Sequence, residues 1–350
     1  MNVFELDQEY VANTYARFPV NIVSGKGSVL KDEAGKEYID LGSGIDVNSF
    51  GTADEEWIAA VTVQLHAFQH TSNLYYTQPC AQLARMLCQR SGMKKVFFSN
   101  SGAEANETAI KAAREYASIH KGADCYTIVT LNNSFYGRTL ATLAATGQEK
   151  YHQHFGPMPQ GFVNIDATPE ALEEVVTTTK VAGILFETVQ GEGGILPLAP
   201  EFLTAMVKTA QENDIVLIAD EVQGGNGRSG KLYAYMQYGL KPRCSHHGQG
   251  HWRRPAHRRD HAGGEGAGCV HPRHERSHIW GKPRSLRRCG EYPGPHRRPA
   301  DGRGGGEVQV HLRPADRRQG RGKRVRPGPT GLTRPCSWTR TAFWTATMCA

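Results

Sequence analysis

The first 242 residues predict an α/β domain built around a mainly parallel β-sheet. Two segments, VAGILF at 181–186 and IVLIAD at 215–220, are almost continuously apolar, which is typical of strands buried on both faces. Helical patterns alternate with these strands along the chain, and this alternation favours parallel strands covered by helices on both faces of the sheet. Ligands bind beyond the carboxyl ends of the strands in such sheets, so function is expected there.

The N-terminal elements are predicted to be antiparallel strands followed by helices. Residues 22–41 alternate apolar and polar side chains around a polar turn at Glu33–Gly35, a pattern that predicts a β-hairpin. Residues 55–69 and 79–91 place apolar side chains at helical spacing. We therefore expect a hairpin and two helices before the parallel sheet begins.

The middle of the chain combines short strands, polar turns and helices. Residues 94–117 run from an apolar strand through small residues into a helix of strong helix formers. Residues 125–139 predict a second strand and turn, and residues 200–223 predict a helix that leads into a strand. Polar clusters follow the strands at Ser99–Glu104, Asn132–Arg138, Glu187–Gly194 and Asp220–Gln223. Because parallel strands end at one edge of a sheet, these clusters are candidates for one site.

Charge is distributed unevenly along the chain. Residues 1–242 carry 18 Lys and Arg against 27 Asp and Glu, whereas residues 243–350 carry 23 against 7. The second segment has one isoleucine and three leucines, so it lacks the side chains for a packed core. We expect residues 243–350 to be a basic, disordered tail. On charge alone this tail could bind nucleic acid.

The composition of residues 1–242 argues against several classes of protein. No apolar run reaches the roughly 20 residues of a membrane-spanning helix, and the acidic start MNVFELDQEY does not predict a signal peptide. Cys80, Cys88 and Cys125 have no disulfide-framework spacing. The cysteines of residues 243–350 lack paired C-x2-C spacing, so no metal site is expected. These observations predict a cytoplasmic protein without a membrane or metal partner.

Two of the polar clusters admit more than one interpretation when each is taken alone. The small residues SNSGAEAN at 99–106 can direct free backbone N–H groups at an anion, or they can form an ordinary helix cap. Phe135 and Arg138 can supply a stacking face and a carboxylate-binding fork, or they can be a core phenylalanine and a solvated arginine.

Carboxylates dominate the other two clusters. Glu187 and Glu192 lie in a glycine-rich segment, where a solvated pair is the default interpretation. Asp220 ends a buried strand, so it needs a partner, because burial without one would raise its pKa. A cationic ring nitrogen or a structural arginine could be the partner of this carboxylate.

Taken together and in order, the motifs resemble a known enzyme family. The similarity covers roughly residues 10–242 and rests on TYARFPV (14–20), SNLYYTQP (72–79), VFFSNSGAEANETAIKAAR (96–114), NSFYGRTLATLAATGQEKY (133–151), ETVQGEGGI (187–195) and IADEVQGGNGRSGKLYAY (218–235). The set resembles fold-type I pyridoxal-phosphate aminotransferases of the subgroup that contains acetylornithine and ornithine aminotransferases. It implies the large domain of that fold with the N-terminal part of its small domain.

The resemblance assigns cofactor-binding roles to residues of three clusters. Ser101, Gly102 and Ala103 would bind the phosphate of pyridoxal phosphate at a helix N-terminus. Phe135 and Val222 would lie on the two faces of the pyridine ring.

Catalytic and substrate-binding roles follow from the same resemblance. Asp220 would pair with the ring nitrogen and keep it protonated, and Gln223 would bind the ring oxygen. Arg138 would bind the substrate α-carboxylate, and Glu192 matches the glutamate that adapts the family's site to two substrates. The sequence departs from the family at Tyr136, where a histidine is usual.

The lysine that forms the family's internal Schiff base is missing. The stretch HHGQG at 246–250 occupies its place, with Gln249 at the lysine position. Codons for this stretch, read one base later, can encode Thr-Thr-Ala-Lys, and those for HIWGKP at 278–283 can encode Thr-Phe-Gly-Gly-Asn-Pro, both family motifs. We therefore expect a frameshift at about Pro242–Arg243.

The resemblance implies three segments and an activity. Residues 1–45 would belong to the small domain, residues 46–242 to an incomplete cofactor-binding domain, and residues 243–350 to an out-of-frame tail. By family the enzyme would be a homodimer that transfers an amino group from N-acetylornithine to 2-oxoglutarate in arginine biosynthesis. Ornithine and succinylornithine are alternative donors. Without its lysine this chain is expected to be inactive, and a non-catalytic cofactor-binding protein or a basic nucleic-acid-binding protein is the alternative.

Overall fold

Short helices and a small antiparallel sheet form the N-terminal part of the computed structural model, in which residues 1–247 and 345–349 are described. The elements are α1 (Val3–Tyr10), β1 (Ile22–Lys26), β2 (Val29–Asp32), β3 (Glu37–Ile39), α2 (Ser43–Asp46), α3 (Glu55–Ala67) and α4 (Gln78–Ser91). The predicted hairpin is therefore a three-stranded sheet, and the predicted polar turn connects β2 to β3. An additional tight turn at Gly27 separates β1 from β2, where Gly27 adopts the left-handed region.

Strands and helices alternate through the rest of the chain as far as residue 221. They are β4 (Lys95–Ser99), α5 (Gly102–Lys121), β5 (Thr127–Leu131), α6 (Leu140–Ala145), β6 (Phe162–Ile165), α7 (Pro169–Thr178), β7 (Val181–Phe186), β8 (Val189–Gln190), β9 (Leu196–Pro197), α8 (Pro200–Glu212) and β10 (Val216–Glu221). Two further strands follow, β11 (Cys244–His247) and β12 (Thr345–Cys349). Short 3-10 helices cover Glu149–Tyr151 and Ala234–Tyr238.

The central sheet has seven strands in the order β4, β12, β11, β10, β7, β5, β6. The five strands from β11 to β6 are parallel, whereas β12 is antiparallel to both of its neighbours. This arrangement confirms the predicted α/β fold with a mainly parallel sheet.

Helices cover both faces of this sheet. On β10, Val216 and Ile218 pack towards α5, whereas Leu217 and Ala219 pack towards the opposite face, where α7 and α8 lie. This alternation is what a strand buried on both sides requires, because successive side chains point in opposite directions. Each fully buried large apolar side chain contributes roughly 1.5 to 3 kcal/mol relative to an exposed one, so these two layers stabilise the domain.

Strand β11 lies inside the segment that the sequence predicted to be an unfolded tail. Cys244, Ser245 and His246 are buried beside β10, with Asp220 in register with His246. The predicted boundary at residue 242 therefore falls just before an ordered strand, and β12 is a second strand from the same segment. The rest of the tail prediction lies outside the described residues.

The first 92 residues, called here the N-terminal region, bury few of their apolar side chains. All of them are described, and Leu87 alone among them is fully buried. Large apolar side chains such as Phe18, Leu41 and Leu74 are exposed. Residues 93–246, called the central region, contain nearly the whole described core. Within the described residues, no helix has the length and apolarity that a membrane crossing requires.

Candidate functional site

A cavity of about 190 Å³ lies at the carboxyl edge of the central sheet. Its walls come from the segment 45–47, the N-terminus of α5, the loop 135–137, the loop after β7 and the residues that end β10. The four predicted polar clusters therefore meet at one place, as expected for strands that end at one edge of a parallel sheet.

Helix α5 directs its N-terminus at this cavity. Ser101 is the N-cap, and its Oγ accepts a hydrogen bond from the N–H of Glu104 at 3.2 Å. Gly102 and Ala103 are the first two helical residues, so their N–H groups have no acceptor within the helix, and both residues line the cavity. A helix of 20 residues adds a favourable dipole, so the free N–H groups at this end suit an anion.

Close packing fixes the shape of the cavity beside this helix. A Cβ atom on Gly102 would lie 3.0 Å from a methyl carbon of Val222. A Cβ atom on Gly137 would lie 2.6 Å from Cβ of Ala103, and Gly137 has a φ of +129°. Side chains at these two glycines would close the space between α5, Val222 and the loop that carries Phe135.

Phe135 and Arg138 lie on one loop with an aromatic neighbour. Phe135 is half-buried and lines the cavity, whereas Arg138 is exposed and lies at its edge. The Arg138 guanidinium lies 4.1 Å from the ring centroid of Tyr151 and 5.5 Å from that of Phe135. Arg138 forms no ion pair within the part of the chain that is described, so its guanidinium is available for a carboxylate.

Asp220 is the buried carboxylate of the site, with a side chain 4% exposed. Its Oδ1 accepts a hydrogen bond from the N–H of Val222 at 2.8 Å, and its Oδ2 accepts one from Nδ2 of Asn106 at 2.9 Å. His246 Nε2 lies 3.3 Å from Oδ2. Among the described residues, the groups that contact the Asp220 carboxylate come from Val222, Asn106 and His246, and none of them is an arginine.

Glu187 and Glu192 do not form the solvated pair that is their default interpretation. Glu192 is exposed and lines the cavity, whereas Glu187 is buried and accepts hydrogen bonds from the N–H groups of Phe135 and Gly191 at 3.0 and 3.1 Å. Burial raises the pKa of Glu187 to about 8, with a further contribution from the charge of Asp220, although the two N–H groups oppose the rise. The raised pKa favours the protonated form of Glu187, and its two hydrogen bonds join two walls of the cavity.

Tyr136 takes a structural position rather than one facing the solvent. Its side chain is buried, its hydroxyl donates to the carbonyl of Leu185 at 2.9 Å, and its carbonyl accepts from Nδ2 of Asn106 at 3.0 Å. Tyr136 therefore anchors the Phe135 loop to β7, and Asn106 joins that loop to Asp220.

A strained segment closes another side of the cavity. Ser43, Ile45 and Asp46 have positive φ angles of 47°, 58° and 64°, a conformation that costs roughly 1 to 2 kcal/mol for each such residue. Arg228 fastens this segment, because its Nη2 donates to the carbonyl of Asp46 at 2.8 Å. The fold thus holds residues 45–47 against the cavity despite the strain.

The structure brings most of the predicted site residues together. Those that line the cavity are Gly102, Ala103, Phe135, Glu192, Asp220, Val222 and Gln223. Ser101 caps α5 and Arg138 lies beside Phe135, next to the cavity wall. Gln249 lies outside the described residues. Within those residues, no group of three or more His, Cys, Asp or Glu side chains is arranged to hold a metal ion.

Sequence reasoning missed Asn106, the burial of Glu187, and His246 as a neighbour of Asp220. Asn106 is a polar residue within a helix of strong helix formers. It contacts Asp220, which lies 114 residues later in the sequence. Only the strand register could have indicated His246, because it places that residue opposite Asp220.

Comparison with known proteins identifies this arrangement. The sequence profile of the class-III aminotransferases matches residues 10–248. The chain belongs to this family. The acetylornithine aminotransferase of Haemophilus ducreyi is 49% identical over 239 residues, which are 68% of this chain and 61% of that protein. The chain thus spans about three fifths of the length of such relatives.

Solved structures of aminotransferases share the fold. The ornithine aminotransferase of Toxoplasma gondii superposes with a TM-score of 0.67 at 32% identity, covering 70% of this chain and 59% of that one. The N-acetylornithine aminotransferase of Stenotrophomonas maltophilia gives a TM-score of 0.59 at 33% identity, covering 70% and 60%. The fold is therefore the fold-type I aminotransferase fold.

Class-III aminotransferases depend on pyridoxal phosphate, and the described residues fit this cofactor. The N–H groups of Gly102 and Ala103 suit a phosphate, and the buried carboxylate of Asp220 suits a protonated ring nitrogen. Asn106 Oδ1 is a second buried acceptor beside Asp220, and it has no hydrogen-bond partner among the described residues. Buried polar atoms are normally paired, so this oxygen also favours a ligand with a donor group.

Proposed function

We propose that the cavity binds pyridoxal phosphate and that the chain derives from an acetylornithine aminotransferase. The observation that supports this most strongly is the arrangement of the N-terminus of α5 and Asp220 on two walls of one cavity. The N-terminus of α5 would supply N–H donors for the phosphate, and Asp220 would supply a negative charge for the ring nitrogen. When bound, the cofactor supplies an electron sink for carbanion chemistry at the amino-acid substrate.

The roles of the other residues follow from their positions. Phe135 and Val222 lie on the cavity wall, where their apolar surfaces would hold the ring between them, and Gln223 would donate to its oxygen. Ser101 contributes by capping α5, which orders the N–H groups of the following residues. Asp220 would keep the ring nitrogen protonated through its negative charge.

Amino-acid and 2-oxo-acid substrates are proposed for the same site. Arg138 forms no ion pair among the described residues, so its guanidinium suits the substrate α-carboxylate, and Glu192 is exposed on the neighbouring loop, where it would contact the distal part of the substrate. The names of relatives such as the Haemophilus ducreyi protein support N-acetylornithine as donor and a place in arginine biosynthesis. 2-Oxoglutarate is proposed as the acceptor.

A catalytic lysine is missing from the family's position, and we attribute this to a frameshift near Pro242. Residues 1–45 then correspond to part of the small domain, residues 46–242 to an incomplete large domain, and residues after 242 to an out-of-frame segment. Gln249 can neither hold the cofactor covalently nor move a substrate proton, so this chain is proposed to be inactive. No nucleic-acid or membrane partner is proposed.

A cytoplasmic homodimer is proposed for the enzyme from which this chain derives. The N-terminal region exposes many large apolar side chains, among them Phe18, Leu41, Leu74, Tyr75 and Tyr76. Exposed large apolar side chains in this number suit a subunit contact, so a second copy is expected to cover them.

Two linked experiments test the proposal. The coding DNA should contain one extra base near codon 242, and its removal should restore a lysine at codon 249. The repaired protein should form glutamate from 2-oxoglutarate in an acetylornithine-dependent reaction, whereas the present chain should form none above background. Turnover by the present chain, or an uninterrupted gene whose other frame lacks the family's motifs, would contradict the proposal.

A further inference from the structure

Strand β11 brings an imidazole against the carboxylate of the cavity. His246 is opposite Asp220 in the parallel register of β10 and β11, so the two side chains lie on the same face of the sheet. His246 Nε2 lies 3.3 Å from Asp220 Oδ2, and both side chains are buried, at 0% and 4% exposure. Neither ring nitrogen of His246 forms a hydrogen bond within the described part of the chain.

The surroundings of this pair are acidic. Glu187 and Glu221 are buried close enough to Asp220 that its charge helps to raise the pKa of each. Among the described residues, His246 is the one basic side chain in contact with Asp220. The imidazole is therefore the one basic group that the described residues place beside a carboxylate shielded from water.

We propose that His246 competes electrostatically with the pyridine ring of pyridoxal phosphate for Asp220 and so weakens cofactor binding in this chain. The inference rests on the proposed function, because it requires Asp220 to be the partner of the ring nitrogen. Imidazole and a protonated pyridine are both flat rings with N–H groups that a carboxylate attracts. Since the two are directed at the same anion, each reduces the attraction that remains for the other.

The carboxylate oxygens of Asp220 already have several partners, which limits how strongly Asp220 can interact with both rings. Its Oδ1 is held by the N–H of Val222 and its Oδ2 by Asn106 Nδ2, and His246 contacts the same Oδ2. His246 is absent from the cavity wall whereas Asp220 is part of it, so the competition acts through the charge of Asp220 and not by filling the cavity.

Equilibrium dialysis of the full chain against pyridoxal phosphate tests the inference. His246→Phe keeps a ring of similar size without nitrogen, and His246→Val removes the ring while it keeps a residue suited to a strand. Each substitution should tighten pyridoxal phosphate binding about tenfold, the smallest effect expected when a charge interaction within about 4 Å is changed. Ser245→Ala, at a buried position of the same strand, should leave the affinity unchanged and controls for disturbance of β11.

A second probe separates charge competition from a structural effect. Phenyl phosphate carries the phosphate and an aromatic ring but no ring nitrogen, so its affinity should be the same in the parent chain and in both His246 variants. Unchanged or weaker binding of pyridoxal phosphate in the two variants would overturn the inference. So would an equal change for both ligands, because that would indicate altered cavity shape.

Asp220→Asn distinguishes failure of the inference from failure of the proposed function. This substitution should weaken binding of pyridoxal phosphate by the parent chain. If it does and the His246 variants do not bind more tightly, only the inference is wrong. If Asp220→Asn leaves binding unchanged, the proposed role of Asp220 is wrong, and the inference is overturned with it.

Discussion

The N-terminal and central regions of this chain differ in how completely they bury their apolar side chains. The central region has a seven-stranded sheet with a core on each face, while the N-terminal region has Leu87 as its one fully buried side chain and exposes Phe18, Leu41 and Leu74. The difference indicates that the central region is stabilised by its own packing. The N-terminal region leaves large apolar side chains exposed, as the subunit contact proposed above would require.

The largest expected effect comes from a pair of substitutions that compare the central region with the N-terminal region directly. Ile184 on β7 is 0% exposed, so Ile184→Ala should lower the free energy of unfolding by about 2 to 5 kcal/mol through lost burial and the remaining cavity. Leu74 is 83% exposed, and Leu74→Ala should change it by less than about 0.5 kcal/mol. Urea unfolding followed by circular dichroism measures both, and equal losses would contradict the comparison.

The pH dependence of stability should also come from the central region. The pKa of Glu187 is about 8 in the folded chain against an ordinary 4.5, so the folded state holds this proton more tightly than the unfolded state does. Its stabilising contribution is complete below pH 4.5 and is lost as the pH rises to 8. This should lower the free energy of unfolding by roughly 2 to 4 kcal/mol between pH 5 and pH 8.

Urea unfolding at several pH values tests this expectation. The slope of stability against pH should be shallower in Glu187→Gln than in the parent chain. Glu221 makes a matched comparison, since it is also buried, accepts hydrogen bonds from the N–H groups of Ala234 and Tyr235, and has a pKa raised to about 7, chiefly by burial. Glu221→Gln should therefore also give a shallower slope, and identical slopes in the parent chain, Glu187→Gln and Glu221→Gln would show that these carboxyls titrate normally.

A charge among the exposed apolar side chains of the N-terminal region should weaken self-association of the chain. Leu74→Glu would place a carboxylate in the proposed subunit contact, which should raise the dimer dissociation constant at least about tenfold because a charge is costly to bury. Lys180→Glu, on the exposed surface of the central region, is the control and should have little effect. Sedimentation velocity over a range of concentrations measures both, and a parent chain that stays monomeric would show that these side chains form no subunit contact in the present chain.

The smallest expected effect concerns the aromatic contact of Arg138. Tyr151→Leu removes the ring that lies 4.1 Å from the Arg138 guanidinium and should cost about 0.5 to 1 kcal/mol of stability. Tyr151→Phe keeps the ring and should cost less than about 0.3 kcal/mol. The same urea measurements apply, and an equal loss in the two variants would assign the effect to the hydroxyl and not to the ring.

Local sequence patterns predicted those helices and strands that can be recognised from their own residues alone. The continuous apolar run of β10 and the strong helix formers of α5 need no distant partner to be recognised, and both elements were predicted. Strands β6 and β12 were not, because β6 is short and β12 is paired with residues some 100 and 250 positions away. Pairing over such distances leaves no signal in a local window of sequence.

The candidate site shows the same difference between what local sequence patterns predict and what depends on long-range packing. Gly102, Asp220 and Phe135 could be predicted because the cluster after each strand carries them to one edge of the sheet. The burial of Glu187 and the contacts of Asn106 and His246 with Asp220 depend on how separate elements pack, which motif spacing does not contain.

Hydrogen–deuterium exchange with and without pyridoxal phosphate is the most direct test of the central claim that the cavity is a cofactor site. Bound cofactor should slow exchange in peptides that cover residues 101–106 and 220–223. Exchange in α3 of the N-terminal region, at Glu55–Ala67, should not change. Unchanged exchange at saturating pyridoxal phosphate, or slowing confined to segments away from the cavity, would contradict the account.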